Sequence, residues 1–161
     1  MIRRLVPDDA EELARLLSAN RAFLAPYSPE RPDEFLTVDV QRERLVAAEH
    51  LFGIIDEGTL AGTIALSNVV RDAFQSASLG YWIDSERNGR GLATRGVAAM
   101  VELAFGELGL HRLEAATLVD NIASIRVLEK NRFARIGIAP HYLRIAGEWR
   151  DHVLFQRTVE D

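Results

Sequence analysis

Ten residues, Arg87–Gly96, constrain the fold and function of this chain more than any other stretch. They read RNGRGLATRG and stand between the aromatic run LGYWID and an apolar pattern of helical spacing. A glycine-rich turn that runs directly into a helix leaves main-chain N–H groups unpaired at the positive end of the helix dipole, and such a turn binds phosphate. Gly89 and Gly91 would let a ligand approach the main chain, and Arg87 and Arg90 would add positive charge.

Three interpretations of this turn compete. A Walker phosphate loop requires Gly-Lys-Ser/Thr at the start of the helix, whereas Gly91 is followed by Leu92 and Ala93, which excludes it. GRGLAT nearly meets the dinucleotide pattern Gly-x-Gly-x-x-Gly, but its sixth position is Thr94, and Asp120, the acid that ends the next strand, lies about thirty rather than about twenty residues further on. A purely structural turn with solvated arginines stays open on this stretch alone.

The composition is that of one ordinary globular domain, which we expect to span residues 1–161. Hydrophobic residues make up 48% and charged residues 27% of the chain, which excludes disordered, collagen-like and coiled-coil classes. The formal net charge of -5 argues against binding to nucleic acid or to an anionic membrane surface. No cysteine is present, so thiolate chemistry is excluded. With no apolar run of signal-peptide or membrane-spanning length, we expect a cytoplasmic protein.

Hydrophobic periodicity predicts a mixed α/β domain built around one twisted sheet. Helices are expected at 7–20, 37–50, 91–105 and 120–132, with Thr37 and either Asp120 or Asn121 as caps. Strands are expected at 2–6, on both sides of Glu57-Gly58, at 77–84, at 112–119 and on both sides of Ala146-Gly147. The Pro-rich segment 24–34 is predicted to be a loop between two helices.

Several segments, in this order, carry a resemblance that covers almost the whole chain: GYWID, GRGLAT, NIASIRVLEK and GEWRDHVLF. They resemble the acyl-CoA N-acyltransferases of the GNAT superfamily. Together with EFLTV they are most similar to the RimJ/RimL-type subgroup, which acetylates the N-termini of ribosomal proteins. The resemblance implies a mostly antiparallel sheet of about six or seven strands with helices on both faces. It also implies that the strand before the glycine-rich loop carries a bulge and splays away from the next strand.

The resemblance implies acetyl-CoA as cosubstrate and a set of residues that bind it. In the family, amides of the loop hold the CoA pyrophosphate, and the open edge of the preceding strand binds the pantetheine arm. The residues that match these positions here are Tyr81, Trp82, Ile83, Asn88, Gly89, Arg90, Gly91, Leu92, Ala93 and Thr94. Asn121 matches an asparagine that contacts the pantetheine, with a plain helix cap as the alternative, and Lys130 is expected near the adenosine phosphates. Asn88 departs from the family pattern, which has Gln or Arg there.

The chemistry favours an α-amino group as the acceptor. Neutralising a lysine of pKa ~10.4 at about pH 7.4 costs roughly 4 kcal/mol, whereas an α-amino group near ~7.8 costs about 0.5 kcal/mol. We therefore expect transfer to the N-terminus of a protein, by direct transfer in a ternary complex. A small amine such as a polyamine, amino acid or aminoglycoside is the alternative, and a CoA-binding module without turnover is a third hypothesis. Net charge does not separate the acceptors, because an acidic cleft would suit a basic peptide and a polyamine alike.

Two residues are the candidate catalytic groups. Glu114 is expected to accept the proton of the amine through water, although a surface ion pair is the alternative, and Asp84 and Glu86 could serve instead. The resemblance assigns Ser124 as the acid that protonates the departing thiolate; a serine with a structural role in the first helical turn is the alternative. Many relatives have a tyrosine for this purpose where this chain has Leu128.

Other positions carry weaker expectations. Arg132 stands where relatives have glycine, Ile136 where they often have glutamate, and Gly96 costs about 1 kcal/mol inside a helix unless close packing or cofactor approach requires it. The Pro-rich loop and the residues around Tyr142 are expected to shape the acceptor cleft.

The histidines and two residues near the C-terminus are expected to be structural. His50, His111, His141 and His152 lack metal-ligand spacing, so no metal is expected. His152 is expected to contact its strand neighbours, and Asp151 and Trp149 are interpreted as strand-pairing and packing residues. A homodimer is compatible with the resemblance, although no residue demands one.

Overall fold

The predicted strands form one twisted sheet in the computed structural model, which describes residues 1–161. The strands are β1 Ile2–Arg4, β2 Leu51–Asp56, β3 Thr59–Val70, β4 Ser76–Ile83, β5 Arg112–Leu118, β6 Ala134–Ile145 and β7 Glu148–Thr158. The helices are α1 Ala10–Ala19, α2 Arg21–Leu24, α3 Val38–Ala47, α4 Leu92–Phe105 and α5 Ile122–Lys130. Short 3-10 turns cover Pro7–Asp9, Ala25–Tyr27, Asp33–Leu36 and Ser85–Arg87. The predicted Pro-rich loop between helices therefore contains helical turns.

The strand order is β1-β2-β3-β4-β5-β7-β6, and every neighbouring pair is antiparallel except β4 and β5. Both predicted hairpins are present. The β2–β3 turn has positive φ at Glu57 and Gly58, and the β6–β7 turn has positive φ at Ala146 and Gly147. Two consecutive residues of positive φ match the right-handed twist of the strands that they join. The sheet therefore has the mixed, mostly antiparallel form that the resemblance implies.

Helices cover both faces of the sheet and divide its core in two. On one face, α4 and α5 pack on β2–β5 and β7 through residues such as Val97, Met100 and Phe155. On the other face, α1 and α3 form a smaller cluster that includes Leu13 and Leu45. Because side chains alternate along a strand, neighbouring residues of β4 serve opposite faces.

Gly96 owes its place in α4 to close packing on the sheet. A Cβ at Gly96 would lie 2.9 Å from Cδ1 and 3.2 Å from Cγ1 of Ile54 on β2. Close packing, one of the two predicted reasons, therefore explains a glycine that would otherwise cost helix stability.

The parallel pair β4–β5 separates after three residue pairs. Ser76 pairs with Arg112, Ala77 with Leu113 and Ser78 with Glu114, and the remaining residues of β4 have no partner on β5. The predicted splay is thus confirmed. The expected bulge in β4 is wrong: β4 keeps an unbroken register with β3 from Ser78 onward, and the irregularity lies in β3 between Ser67 and Val70, where Asn68 has φ 49°.

The surroundings of three residues, Leu128, Arg132 and Trp149, can be compared with the expectations for them. Leu128 is buried in the core and has no access to a substrate. Arg132 has φ 60°, the left-handed conformation that favours the glycine of relatives. The packing role expected for Trp149 is wrong, because its side chain lies on the open surface of β7 and is 62% exposed.

No helix of the chain combines the length and the apolar character needed to cross a membrane.

Candidate active site

The separation of β4 from β5 opens a strand edge inside the sheet. On its other side β4 stays paired with β3 as far as Ile83. The unpaired part of β4, Leu79–Ile83, spans roughly 16 Å at about 3.3 Å per residue. It therefore offers main-chain N–H and C=O groups towards β5 that no strand satisfies, as an extended ligand arm would require.

The loop that follows β4 gathers free amide groups. None of the main-chain N–H groups from Gly89 to Thr94 donates a hydrogen bond within the protein, and the first amide used in the helix is that of Arg95, which bonds the carbonyl of Gly91 at 3.0 Å. Gly89 and Gly91 have φ 77° and 72°, so both occupy the left-handed region that favours glycine.

The starts of α3 and α5 differ from the start of α4. Thr37 Oγ1 accepts from the amide of Val40 at 3.4 Å, and Asn121 Oδ1 accepts from the amide of Ser124 at 3.2 Å. At α4 the capping position is Gly91, which has no side chain to do this. The first turn of α4 is therefore free to bind an external anion.

The two arginines of the loop are engaged with carboxylates of the protein. Arg90 Nη1 lies 2.7 Å and Arg87 Nη1 lies 3.4 Å from Oδ2 of Asp56 at the end of β2. Arg90 also contacts Glu57 at 3.4 Å, and Arg87 Nε lies 3.7 Å from Asp84 Oδ2. Arg87 and Arg90 therefore bring positive charge that carboxylates of the protein partly balance. Their side chains anchor the loop to the β2–β3 hairpin, and its anion-binding capacity rests on the main chain.

A second anchor holds the beginning of the loop. Asn20, buried at the end of α1, donates from Nδ2 to Oδ1 of Asp84 at 3.0 Å and accepts from the amide of Ser85 at 2.8 Å. Asp84, one of the alternative bases, is thus buried and bonded within the protein, whereas Glu86 is exposed. No local pattern reveals the Asn20–Asp84 contact or the role of Asp56, because the partners are far apart in the chain.

Tyr81 projects from the unpaired edge of β4 and meets α5. Its hydroxyl lies 2.8 Å from Oγ of Ser124 and donates to the main-chain carbonyl of Ser124 at 3.3 Å. Burial raises the pKa of Tyr81 to about 12, against a smaller lowering by the hydrogen bond from Ser124. The phenol therefore stays protonated at neutral pH and remains a hydrogen-bond donor. The structure thus places Ser124, a candidate acid, beside a second hydroxyl that sequence reasoning assigned only to cofactor contact.

The neighbours of Tyr81 on β4 point elsewhere. Trp82 packs against the smaller cluster on the α1–α3 face, and Ile83 is buried in the larger core. Both can contact a ligand in the splay only through their main chain. In the first turn of α4, Leu92 is buried, while Ala93 and Thr94 are half-buried.

Glu114 lies at the point where β4 and β5 part. Its Oε1 accepts from Ser78 Oγ at 3.0 Å, and its Oε2 accepts from Arg112 Nη1 at 2.9 Å. The ion pair predicted as the alternative is present. Each carboxylate oxygen keeps a further lone pair, so a water can still bind there.

The C-terminal end of α5 lies next to α4, the helix that follows the glycine-rich loop. Asn131 Nδ2 donates to the carbonyl of Thr94 at 3.2 Å, which brings the adjacent Lys130, exposed in the last turn of α5, to the side of the first turn of α4. Asn121 caps α5 as described above. Its contact with a cofactor stays a prediction, as does that of Lys130.

The histidines are dispersed, and no three His, Asp or Glu side chains are grouped as they would be around a metal ion. Nδ1 of buried His152 lies 2.9 Å from the carbonyl oxygen of Arg150, two residues away on the same strand. The expectation that the reaction needs no metal stays a prediction.

A cavity of about 920 Å³ lies on the other face of the sheet, between β3–β4 and the α1–α3 layer. Gly80, Tyr81 and Trp82 form part of its wall, so it reaches the unpaired edge of β4. The Pro-rich segment lines it, as expected of the cleft, but Tyr142 does not: the ring of Tyr142 packs on His152, with centroids 5.6 Å apart. We call this space the acceptor cavity, after the role that we propose for it below.

The acceptor cavity is not acidic. Its ionisable wall residues other than tyrosine are three arginines, Arg21, Arg31 and Arg44, and one acid, Glu30. The case of an acidic cleft, which would suit a basic peptide and a polyamine alike, therefore does not apply to this space.

Comparison with known proteins agrees with this geometry. Residues 1–134 match the model of the acetyltransferase (GNAT) domain. A probable N-acetyltransferase of Bacillus subtilis is 40% identical over 94% of this chain and 89% of its own length. The [ribosomal protein uS5]-alanine N-acetyltransferase of Escherichia coli is 33% identical over 100% of this chain and 89% of its own length.

Solved structures of acetyltransferases are also similar to this chain. The ribosomal-protein-S5-alanine acetyltransferase of Vibrio fischeri superposes with a TM-score of 0.94 at 32% identity, covering 99% of this chain and 93% of that one. RimJ of Mycobacterium smegmatis in complex with CoA-disulfide gives 0.93 at 29% identity, covering 99% and 81%.

Proposed function

Because the chain belongs to the GNAT family of acetyltransferases, we propose that it moves the acetyl group of acetyl-CoA to the α-amino group at the N-terminus of a protein. The transfer is direct and takes place in a ternary complex. Relatives of known acceptor act on a ribosomal protein, and a ribosomal protein is the acceptor class we propose here.

The observation that carries the cofactor assignment is the row of free amides from Gly89 to Thr94. These groups hold the pyrophosphate of CoA at the positive end of α4. The pantetheine arm runs back along the open edge of Leu79–Ile83, and its thioester end lies where β4 and β5 part, near Ser78 and Glu114.

Ser124 supplies the proton for the leaving group. The amine nitrogen attacks the thioester carbonyl and the carbon–sulfur bond breaks. The departing thiolate takes the proton of the Ser124 hydroxyl, and the proton that the amine gives to Glu114 returns to Ser124 through solvent, so that both side chains are restored. The hydroxyl of Tyr81, 2.8 Å from Ser124 Oγ and protonated at neutral pH, holds the Ser124 side chain in position. A pair of hydroxyl groups here compensates for the buried Leu128 at the position of the family tyrosine.

Glu114 accepts the proton lost by the amine, through a water bound to the free lone pairs of its carboxylate. Its place at the apex of the splay favours it over Asp84, whose carboxylate is buried against Asn20, and over Glu86, which lies on the loop beyond the strand. An α-amino group needs only such a weak base, because its pKa is close to neutral pH.

The charge of the acceptor cavity favours a protein N-terminus over a polyamine or aminoglycoside. Three arginines against one glutamate repel a polycation, whereas a peptide brings a single ammonium group that is neutral when it reacts. A CoA-binding module without turnover would need no acceptor cavity beside the open strand.

An acceptor panel tests the proposal. CoA release is measured with acetyl-CoA and three groups of acceptors: peptides with free N-termini, the same peptides with blocked N-termini and one internal lysine, and spermidine. We expect turnover only with free N-termini. Turnover with spermidine alone would favour the small-amine function, and tight acetyl-CoA binding without turnover on any acceptor would favour the module.

A further inference from the structure

The acceptor cavity contains two arginines that no carboxylate neutralises. Arg21 forms an ion pair with Asp33. Arg31 and Arg44, in contrast, have no carboxylate oxygen within 4 Å. Glu30, the one acid of the wall, precedes Arg31 in the chain, and its carboxylate is directed to the β6–β7 turn, where its Oε1 would be 2.9 Å from a Cβ on Gly147.

The two free guanidinium groups are held around one aromatic ring. The Cζ atoms of Arg31 and Arg44 lie 4.8 Å and 4.6 Å from the ring centroid of Phe35. The fully buried Gln41 fixes this arrangement, because its Nε2 donates to the carbonyl of Phe35 and its Oε1 accepts from Arg44 at 2.6 Å. Arg44 is thus held by this hydrogen bond and by the ring of Phe35, and Arg31 by the ring alone.

The surroundings make this pair of cations costly in the absence of an anion. The pKa of Arg44 is lowered, first by burial of its guanidinium and then by the positive charge of Arg31. A carboxylate between the two would offset the repulsion between their positive charges, and guanidinium groups bind carboxylates through charge-assisted, often bidentate hydrogen bonds.

The cavity is large enough for a peptide segment. Its volume of about 920 Å³ is near the upper end of the range of about 300–1,000 Å³ for small-molecule sites. It extends from Gly80 on the open strand to Arg31 and Arg44, so an N-terminus at β4 would place the following residues near the arginines.

We propose that Arg31 and Arg44, held around Phe35, bind an acidic side chain among the first residues of the acceptor, and so make the enzyme specific for N-termini followed by aspartate or glutamate. This inference rests on the proposed function, whose acceptor it specifies. The ligand is a carboxylate carried by a peptide. A free acidic amino acid offers the same chemistry, and the test separates the two sources.

The experiment compares C-terminally amidated peptides that differ at one residue, with Asp or Asn at position 2, 3 or 4, and free glutamate as a further acceptor. For each, kcat/KM is measured with acetyl-CoA, and the dissociation constant is measured with CoA bound. We expect at least tenfold tighter binding and tenfold higher kcat/KM for Asp over Asn at one position. In Arg31→Gln, and in the double variant that combines Arg31→Gln with Arg44→Gln, the Asp and Asn peptides should differ by no more than twofold in binding and in kcat/KM.

Arg42→Gln is the matched control. Arg42 lies on α3, as Arg44 does, but it pairs with Asp39 and does not line the cavity. It should keep the preference, and none of the variants should change acetyl-CoA affinity. Equal behaviour of the Asp and Asn peptides, or a preference that survives loss of both arginines, would overturn the inference. So would free glutamate acting better than every peptide. Acidic peptides that bind selectively without being acetylated would support the anion site and refute the proposed function.

Discussion

The two halves of the site, on opposite faces of the sheet, are built from different parts of the chain. The cofactor half consists mainly of main chain: the open edge of β4 and the free amides from Gly89 to Thr94. The acceptor cavity is lined mainly by side chains from α1–α3, the Pro-rich segment, β2, β3 and the β6–β7 turn, and it shares Gly80–Trp82 of β4 with the cofactor half. Binding by main chain depends on backbone conformation, which a few glycines fix, whereas binding by side chains depends on residues that can change without altering the fold.

This difference has a consequence for specificity. The cofactor half needs only glycine at two positions and a strand that leaves its neighbour. The acceptor half can acquire a new charge pattern, such as the pair Arg31 and Arg44, while the sheet stays the same. We therefore expect substitutions in the first half to act on acetyl-CoA and those in the second to act on the acceptor.

The largest effect is expected for Ser124, the proton donor that we propose for the leaving group. Ser124→Ala should lower kcat about 100-fold, because the thiolate then leaves without a positioned proton donor, and should leave acetyl-CoA affinity unchanged. Steady-state kinetics and calorimetry measure the two quantities. Ser85→Ala is the control, since that exposed hydroxyl makes no hydrogen bond within the protein. An unchanged kcat in Ser124→Ala would remove Ser124 from the mechanism.

Backbone conformation at the loop is tested by Gly91→Val. A β-branched residue is strained at φ 72°, so the loop should shift, and acetyl-CoA affinity should fall at least tenfold by calorimetry. Gly109→Val places the same side chain at φ 62° with no neighbour within 4 Å and away from the loop. It should lower the melting temperature similarly and keep the affinity. Equal affinity in Gly91→Val and wild type would show that the loop does not bind the cofactor.

Burial of Tyr81 predicts a pH dependence of stability. Because the pKa of Tyr81 is about 12 in the folded protein and 10.0 for an ordinary tyrosine, its contribution to stability is complete below about pH 10 and is lost as the pH rises towards 12. Between pH 9 and 11, wild type should lose about 1 to 1.5 kcal/mol more unfolding free energy than Tyr81→Phe. Urea unfolding at both pH values measures this difference. An equal loss in the two proteins would mean that the phenol is not buried as described.

The smallest effect is expected where side chains merely support the main chain. Asp56→Asn should lower the unfolding free energy by about 1 kcal/mol and weaken acetyl-CoA binding about threefold, because Arg87 and Arg90 no longer anchor the loop. Glu57→Gln, at an exposed carboxylate, should have little effect. Tighter acetyl-CoA binding in Asp56→Asn would contradict this account, since it would show that the released arginines serve the phosphates.

The sequence predicted local features of the fold well. The β2–β3 turn at Glu57-Gly58 and the Thr37 cap depend on residues next to one another, and both are as expected. The position of the β-bulge depends on how β3 and β4 pair, and the exposure of Trp149 depends on which elements cover β7. Periodicity along one strand does not contain that information.

The same limit applies to the site. The glycine-rich loop was recognisable because its glycines and the helix after it are contiguous. The pairing of Arg87 and Arg90 with Asp56 and the contact of Tyr81 with Ser124 join residues about thirty or more positions apart. The charge of the acceptor cavity could not be predicted for the same reason, because the net charge of a chain does not give the charge of one cavity.

The most direct test of the central claim is a map of amide chemical shifts during titration of the folded protein with acetyl-CoA. The largest changes are expected at the amides from Gly89 to Thr94 and along Leu79–Ile83, with small changes at Arg31 and Arg44. Saturable shifts confined to the acceptor cavity, or no shifts at all, would contradict the claim that the main chain of this loop and strand binds the cofactor.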